Sequence, residues 1–308
     1  MRYAVLFPGQ GSQAVGMGAD VFAARPDLLG SAADEVLGWC LSNLCASGPE
    51  SELVRTDRAQ PALYAIAYAL WEAFAARVGH PPIAAAGHSL GEYTALAASG
   101  AVDYLDGLRL VAARGAAMAE ATASAAGGMA AVMGADLETL EEIVAERRAG
   151  GAQLWVANVN APGQIVVAGS DGAIDDLVGH ARDLDLRRVI PLRVSGAFHT
   201  PLMEPARAEL DRTLRSVEFL PGAFPVWSNL EAAPPGDVAA ALSGQLTGKV
   251  RFSESLVAMN EAGADAFVHI GPGDVTAGMA KRSVKGARVI TVSSLEDIDD
   301  AVATLTAA

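Results

Sequence analysis

The sequence is poor in cysteine and in basic residues. Of its 308 residues only Cys40 and Cys45 are cysteines, too few for a disulfide framework and without a second pair that would make a metal site. We therefore interpret both as small apolar side chains in a reducing compartment. The chain has 22 Lys and Arg against 36 Asp and Glu, and its formal net charge of −14 argues against binding to nucleic acid or to an anionic membrane.

Long apolar runs are also absent. No stretch is long enough to cross a membrane, and the N-terminal apolar segment ends at Pro8-Gly9, too early for the core of a secretory signal. With 51% hydrophobic residues, the chain can fill one large domain or two modest ones. These features predict a cytoplasmic protein whose ligands are small molecules or other proteins.

A glycine-rich loop, Pro8-Gly9-Gln10-Gly11-Ser12-Gln13, follows a predicted buried strand at residues 3–7. It lacks the G-x-x-x-x-G-K-[ST] pattern, and no acidic residue ends a second strand about twenty positions later, so nucleotide binding is not expected. Its two glutamines are available to hydrogen-bond a ligand. The alternative is a solvated turn, and the residues themselves do not separate the two.

The most informative stretch is Gly87-His88-Ser89-Leu90-Gly91, a G-x-S-x-G pentapeptide between a predicted strand, residues 83–86, and a predicted helix, residues 92–98. This is the context of a nucleophile elbow, in which a tight turn lifts a serine hydroxyl to the end of a sheet at a helix N-terminus. Flanking glycines permit the strained backbone. We predict that Ser89 is a nucleophile; the alternative is an ordinary turn in which Ser89 only caps the helix.

Two arginines occupy different faces of a predicted helix at residues 106–121. Five positions at about 100° each separate Arg109 from Arg114 around the axis. Arg109 lies one turn from Asp106 and is predicted to form a surface ion pair, whereas the helical neighbours of Arg114 are apolar. A buried guanidinium needs an anionic partner, which is either a bound carboxylate or a structural Asp or Glu.

The order of predicted elements indicates an α/β protein of two units. A core helix at residues 58–78 and the elbow belong to the first unit. After a linker at residues 122–128, elements follow in the order βαββαβ, which is typical of a ferredoxin-like fold. Later strands alternate with helices, as in a mostly parallel, helix-covered sheet. We predict a large domain, residues 1–126 and 196–308, with a small ferredoxin-like domain, residues 127–195, inserted in it.

The serine needs a general base, and five histidines are candidates. His199, in a loop at residues 195–200 where the small domain rejoins the large one, is the predicted base. An acid placed for a Ser-His-Asp triad is not evident, but a Ser-His dyad held by a backbone carbonyl would meet the same need. The other four are not predicted to act as the base. His80 and His180 are expected to be exposed, His269 lies in an apolar strand, and His88 is expected to point away from Ser89.

Taken together, these stretches resemble the malonyl-CoA:acyl carrier protein transacylase family, which also occurs as acyltransferase domains of polyketide synthases. The matching segments run in family order over nearly the whole chain, and the ordered set is specific. The fold implied is an α/β-hydrolase-like large domain with a ferredoxin-like insert. The segments are Phe7 to Gln13, Gln60-Pro61-Ala62, Gly87 to Tyr93, Arg114, Asn158 to Gln164, Ala197-Phe198-His199, Gln245-Leu246 and Gly271-Pro272-Gly273.

The resemblance implies a catalytic set around Ser89. Ser89 would carry a malonyl group as an ester, with His199 as its base and later its acid. Gln10 and the backbone N–H of Leu90 would form the oxyanion hole, and Arg114 would hold the free malonyl carboxylate. Neither a metal nor a cofactor is implied.

Three further positions belong to the implied pocket. Gln245 corresponds to the family residue near the histidine, where a main-chain carbonyl would orient the imidazole. Asn160 would lie in the pocket wall, and Phe198 would disfavour a branched group such as methylmalonyl. Lys249 and His269 depart from the family pattern, which commonly has proline and glutamate there, and leave the backbone near Gln245 less determined.

The expected reaction is a ping-pong transfer of malonyl from malonyl-CoA to the phosphopantetheine thiol of acyl carrier protein, in fatty-acid biosynthesis, by a monomeric enzyme. Alternatives are a free-standing acyltransferase serving a polyketide synthase, a serine thioesterase or hydrolase, and a non-catalytic acyl-binding module. A local basic cluster either docks the acidic carrier protein or is a solvated helix end. It consists of Lys281, Arg282, Lys285 and Arg288.

Overall fold

The computed structural model describes residues 1–124, 126–194 and 196–307. Its strands are β1 Tyr3–Phe7, β2 Ala84–Gly87, β3 Gly128–Met133, β4 Leu154–Ala161, β5 Gln164–Gly169, β6 Arg188–Pro191, β7 Val226–Trp227, β8 Ala266–Ile270 and β9 Arg288–Val292. Its helices are α1 Ala19–Ala24, α2 Pro26–Leu29, α3 Ser31–Leu37, α4 Leu41–Ser47, α5 Glu50–Leu53, α6 Thr56–Val78, α7 Gly91–Ser99, α8 Tyr104–Ser124, α9 Leu137–Ala149, α10 Asp171–Gly179, α11 Glu204–Leu214, α12 Val238–Gln245, α13 Phe252–Glu261, α14 Val275–Ser283 and α15 Asp297–Thr306.

The larger sheet has the strand order β7-β2-β1-β8-β9, and all its pairs are parallel. Strands β1, β2 and β8 are buried along their whole length, as expected for short apolar runs covered by helices on both faces. The register pairs Phe7 with Gly87 at the carboxyl ends of β1 and β2. The glycine-rich loop after β1 therefore lies directly beside the G-x-S-x-G turn after β2.

The smaller sheet has the order β4-β5-β3-β6 with antiparallel pairs, and α9 and α10 connect its strands in the sequence βαββαβ. It has its own apolar core, which includes Val132, Leu140, Ile165 and Leu177. The predicted fold class, a mostly parallel α/β sheet with a ferredoxin-like insert, is confirmed. The domain limits at 126/127 and 195/196 stay a prediction.

Several details differ from the sequence analysis. Helix α8 continues to Ser124, so the predicted linker at residues 122–128 begins inside a helix; Ala125 of that linker and Ser195, at the start of the predicted loop 195–200, lie outside the described residues. Cys45 is buried as expected, but Cys40 is exposed, so its interpretation as an apolar filler is wrong. Within the described ranges, no helix is both long and apolar enough to cross a bilayer.

Candidate active site

The turn between β2 and α7 presents Ser89 at the carboxyl edge of the parallel sheet. Its φ of 51° lies in the left-handed region, which costs a non-glycine residue about 1–3 kcal/mol. Both flanking glycines are required because neighbouring backbone atoms lie too close to leave room for a side chain. A Cβ on Gly87 would overlap the backbone of Gly91, and a Cβ on Gly91 would overlap the carbonyl oxygen of Phe7. The strained turn therefore depends on the glycines of the pentapeptide.

Asn229, in the segment after β7, holds this turn from the opposite side. Its Oδ1 accepts a 2.6 Å hydrogen bond from the N–H of Ser89, and its Nδ2 donates a 2.7 Å bond to the carbonyl oxygen of Gly87. These bonds offset part of the strain at Ser89, because they satisfy backbone groups on both sides of the left-handed turn. No sequence pattern marks Asn229, which lies far along the chain in a segment without a motif, and it was not predicted.

The structure brings His199 to Ser89, with 2.8 Å between the serine Oγ and the histidine Nε2. The other ring nitrogen, Nδ1, lies 2.8 Å from the main-chain carbonyl oxygen of Gln245. Because a carbonyl can only accept a hydrogen bond, Nδ1 carries the proton and Nε2 presents its lone pair to the hydroxyl. The imidazole is therefore in the tautomer that a general base needs, with a backbone carbonyl where a triad has an acid.

The surroundings of His199 keep its ring neutral. The pKa of His199 is lowered from 6.5 to about 3, mainly by burial and then by the charge of Arg114, with a smaller effect of His88; the hydrogen bond to the Gln245 carbonyl opposes the shift. A neutral imidazole is the form that removes a proton from serine. The base is thus in its active form throughout the neutral pH range.

This shift predicts how the reactivity of Ser89 depends on pH. The neutral imidazole is lost only as the pH falls through the pKa of the folded state, so reaction of Ser89 with a fluorophosphonate probe is expected to persist well below pH 6.5. The initial labelling rate, followed by intact mass over the range in which circular dichroism shows the protein folded, measures this. An acid limb centred near pH 6.5 would contradict the prediction.

Arg114 of α8 is completely buried beside the nucleophile. Its guanidinium donates hydrogen bonds to Gln60 Oε1 at 2.7 Å, Ser89 Oγ at 2.9 Å and Gln245 Oε1 at 3.0 Å, and it lies over the ring of Tyr93. These acceptors are neutral. Across the described ranges, no carboxylate forms an ion pair with this guanidinium. The site therefore holds a desolvated cation in contact with the serine hydroxyl.

Ser89, His199, Arg114 and Gln60 line a cavity of about 210 Å³ between the two sheets. Gln10, Leu90, Asn160 and Phe198 also lie in its wall. No acceptor in the described part of the chain binds the N–H of Leu90, which therefore remains available at the N-terminus of α7. The Gln10 amide lies nearby and donates a 3.3 Å hydrogen bond to Thr56 Oγ1. A backbone donor and a side-chain donor thus flank the space in front of Ser89.

The direction expected for the His88 side chain, away from Ser89, stays a prediction, and its contacts are those of a structural residue. His88 is among the residues that line the cavity, and its Nε2 donates a 2.7 Å hydrogen bond to Asn160 Oδ1. Burial lowers the pKa of His88, which favours the neutral ring. The ring of Phe252 packs against it in a T-shaped arrangement. His88 therefore shapes the cavity wall and holds the Asn160 amide in place.

The remaining charged and polar candidates lie away from the cavity. Arg109 forms the predicted surface ion pair with Asp106 at 2.7 Å, and His269 is buried between Thr276 and the carbonyl of Gly271. In the portion of the chain that is described, no group of three or more His, Cys, Asp or Glu side chains is placed to hold a metal ion. The chemistry available in the cavity is that of Ser, His and Arg side chains.

The fold and this arrangement define an α/β enzyme site suited to covalent acyl transfer. A serine hydroxyl with a neutral histidine at hydrogen-bond distance can accept an acyl group, and the unbonded N–H of Leu90 at the helix N-terminus can stabilise an oxyanion. A buried cation at the same hydroxyl can bind the anionic end of an acyl group.

The chain belongs to the acyl transferase family, because the model of the acyl transferase domain matches residues 5–302. It is 39% identical to the malonyl CoA-acyl carrier protein transacylase of Bacillus subtilis, over 99% of this chain and 97% of that protein. The crystal structure of an acyl carrier protein S-malonyltransferase from Vibrio cholerae has a TM-score of 0.92 at 36% identity, and the match covers 98% of this chain and 100% of that one. A malonyl-transacylase in complex with a type II polyketide synthase acyl-carrier protein has a TM-score of 0.93 at 35% identity, covering 99% and 100%.

Proposed function

We propose that this acyltransferase is a malonyl-CoA:acyl carrier protein S-malonyltransferase. The observation that carries the proposal is the position of Ser89 Oγ, 2.8 Å from His199 Nε2 and 2.9 Å from a guanidinium nitrogen of Arg114. A base at the hydroxyl suits any acyl transfer, whereas a buried cation at the same hydroxyl suits an acyl group with a free carboxylate. The relatives named as malonyl transacylases support the same substrate.

In the first half-reaction, Ser89 Oγ attacks the thioester carbonyl carbon of malonyl-CoA while His199 Nε2 takes the hydroxyl proton. The negative charge that develops on the carbonyl oxygen is stabilised by the N–H of Leu90 and the amide of Gln10, which act only once that charge appears. The carbon–sulfur bond then breaks, and the imidazolium of His199 returns the proton to the coenzyme A sulfur. The product is a malonyl ester on Ser89.

The second half-reaction uses the same groups in reverse. The phosphopantetheine thiol of the carrier protein gives its proton to His199 Nε2, and its sulfur attacks the ester carbonyl. The tetrahedral intermediate collapses, the bond to Ser89 Oγ breaks, and His199 protonates the serine. Because Gln245 holds the imidazole through a backbone carbonyl, the ring keeps one orientation through both steps.

Two features of the cavity support selectivity for an unbranched malonyl group. Arg114 has its planar guanidinium buried at the serine, where a carboxylate can accept two hydrogen bonds from it. Phe198 is buried in the cavity wall directly before His199 in the chain, where an aromatic ring restricts the space for a branched α-carbon. Asn160, held by His88, contributes a polar group to the wall.

The carrier protein is proposed to approach near α14. Val275 and Met279 of this helix line the cavity, and its last turn carries Lys281 and Arg282. These two cations follow the cavity-lining residues in the same helix of a chain of net charge −14, and an acidic partner requires such a local basic surface. We further propose a cytoplasmic monomer, without metal or cofactor, whose large domain comprises residues 1–126 and 196–308 and whose small domain comprises residues 127–195.

A second candidate function is malonyl supply to a polyketide synthase. It is favoured by the similarity to the malonyl-transacylase solved together with a type II polyketide synthase carrier protein. The chemistry at Ser89 is the same in both cases, and the two functions differ only in the carrier protein. Comparing malonyl transfer to purified carrier proteins of the two types decides between them.

Incubation with malonyl-CoA in the absence of carrier protein tests the main proposal. A malonyl adduct is expected by intact mass and is expected to disappear in Ser89→Ala, since loss of a catalytic nucleophile lowers kcat by about 10⁶-fold. Ser216→Ala, at an exposed helix end, is the matched control and should still load. Added carrier protein should discharge the adduct. Release of free malonate and coenzyme A without an adduct would instead show a hydrolase.

A further inference from the structure

Glu92 is a buried carboxylate that the proposed mechanism does not use. It lies in the first turn of α7, and only 2% of its surface is exposed. Its Oε2 accepts a 2.9 Å hydrogen bond from the N–H of Asn229 and a 2.7 Å bond from Nε2 of Gln245. An ionised carboxylate at such a depth is costly unless a positive charge compensates it.

Gln245 connects this carboxylate to Arg114. Its Nε2 donates to Glu92, while its Oε1 accepts a 3.0 Å hydrogen bond from Arg114. The amide dipole is therefore aligned, with the oxygen towards the cation and the nitrogen towards the anion. Both ions are buried, and nothing but this amide stands in the hydrogen-bonded path between them. Charges that are removed from water interact more strongly than charges in solvent.

We propose, on the basis of the malonyl-transfer function above, that Glu92 is the resident counter-ion of Arg114 and competes with the acyl carboxylate for its charge. When Glu92 is ionised, Arg114 is already compensated, and an incoming carboxylate shares the cation with a second anion. When Glu92 is protonated, the full charge of Arg114 is available. Glu92 thus acts through Gln245 and Arg114 as a specificity-determining residue that does not touch the substrate.

The environment of Glu92 lets it change charge near neutral pH. Burial raises the pKa of Glu92 from 4.5 to about 7, against the hydrogen bonds from Asn229 and Gln245 and the attraction of Arg114. The charged and titratable groups that face it are Arg114 of α8 and Tyr93 of its own helix; the segment after β7 adds only uncharged dipoles. An anion bound at Arg114 raises this pKa further, and by linkage ionised Glu92 weakens the binding of that anion by the same factor.

The first test compares kcat/KM for Ser89 loading by malonyl-CoA and by acetyl-CoA, because their ratio cancels the titration of His199. In the unmodified protein the ratio is expected to fall about tenfold as the pH rises from about 6 to about 8. In Glu92→Gln, whose amide oxygen can still accept both hydrogen bonds, the ratio should be independent of pH and at least as high as in the unmodified protein at the acidic end. Asp106→Asn, which removes a surface carboxylate from α8, should retain the pH dependence.

The proposal would be overturned if the malonyl-to-acetyl ratio of kcat/KM in Glu92→Gln kept the pH dependence of the unmodified protein. It would also be overturned if this ratio were independent of pH but fell to the point of favouring acetyl-CoA.

A thermal-unfolding cycle with Glu92→Gln, Arg114→Gln and the double variant needs no substrate and separates this inference from the proposed function. Above pH 7 the double variant is expected to unfold at a higher temperature than the sum of the single effects predicts, and this excess should vanish at acidic pH where Glu92 is protonated. Additivity at both pH values, or failure of Glu92→Gln and the double variant alike to fold, would show that Glu92 acts by packing alone and would refute its role as a counter-ion.

Discussion

Arg114→Ala is expected to lower kcat/KM for malonyl loading by on the order of 10²- to 10³-fold, because truncating one partner of a buried, hydrogen-bonded charge pair removes several kcal/mol. The acetyl group of acetyl-CoA has no carboxylate that could contact Arg114, so its loading should change by less than about tenfold. Parallel measurement of adduct formation from the two thioesters gives both values. The difference between the substrates, rather than the absolute loss, reports the role of Arg114.

Arg109→Ala is the matched control for this experiment. It removes an arginine from the same helix, but one that is exposed and paired with Asp106. Its effect on either substrate should be small, because a surface ion pair contributes about 0–1 kcal/mol. Equal losses of malonyl and acetyl loading in Arg114→Ala would remove Arg114 from substrate recognition and assign it to the structure around Ser89, Gln60 and Gln245.

His199→Ala is expected to lower loading by both thioesters equally, by at least about 10³-fold, since the serine loses its general base. The loss should be in kcat with little change in KM, because the ring contacts the reacting hydroxyl and not the malonyl carboxylate. Discharge of a preformed adduct by carrier protein should slow by a similar factor, because the same nitrogen accepts the thiol proton. Rapid-quench measurement of each half-reaction gives the two rates.

His180→Ala provides the comparison for this variant. His180 lies in an exposed segment and contacts Asp176, so its removal should leave both half-reactions unchanged. A His199→Ala protein that remains folded and still loads malonyl at a comparable rate would show that another group activates Ser89. His88 is the other histidine of the cavity wall, but its Nε2 bonds to Asn160 rather than to the serine.

Local patterns in the sequence were sufficient for the elements that carry strong apolar periodicity or distinctive turns. Strand β1 lies where its apolar run predicts, and the order βαββαβ predicts the antiparallel order of the smaller sheet. The short helices α1 to α5 were not predicted, because segments of four to seven residues are too short for a helical period to emerge. Helices α12, α13 and α14 were missed for a related reason. Each lies between turn-forming segments that leave too few residues for a clear helical period.

The sequence by itself predicted the main groups of the site, because G-x-S-x-G between a strand and a helix is typical of a nucleophile elbow and an arginine with apolar helical neighbours is recognisable as buried. Only the tertiary structure decided how that chemistry is held together. Asn229 lies outside every matching segment, and Glu92 lies in one without an assigned part; their contact arises from parallel strand pairing that brings the end of β7 beside the end of β2. Such contacts join distant parts of the chain, so the hydrogen bonds between Asn229 and the elbow and the bond from Gln245 to Glu92 exist only in the folded protein.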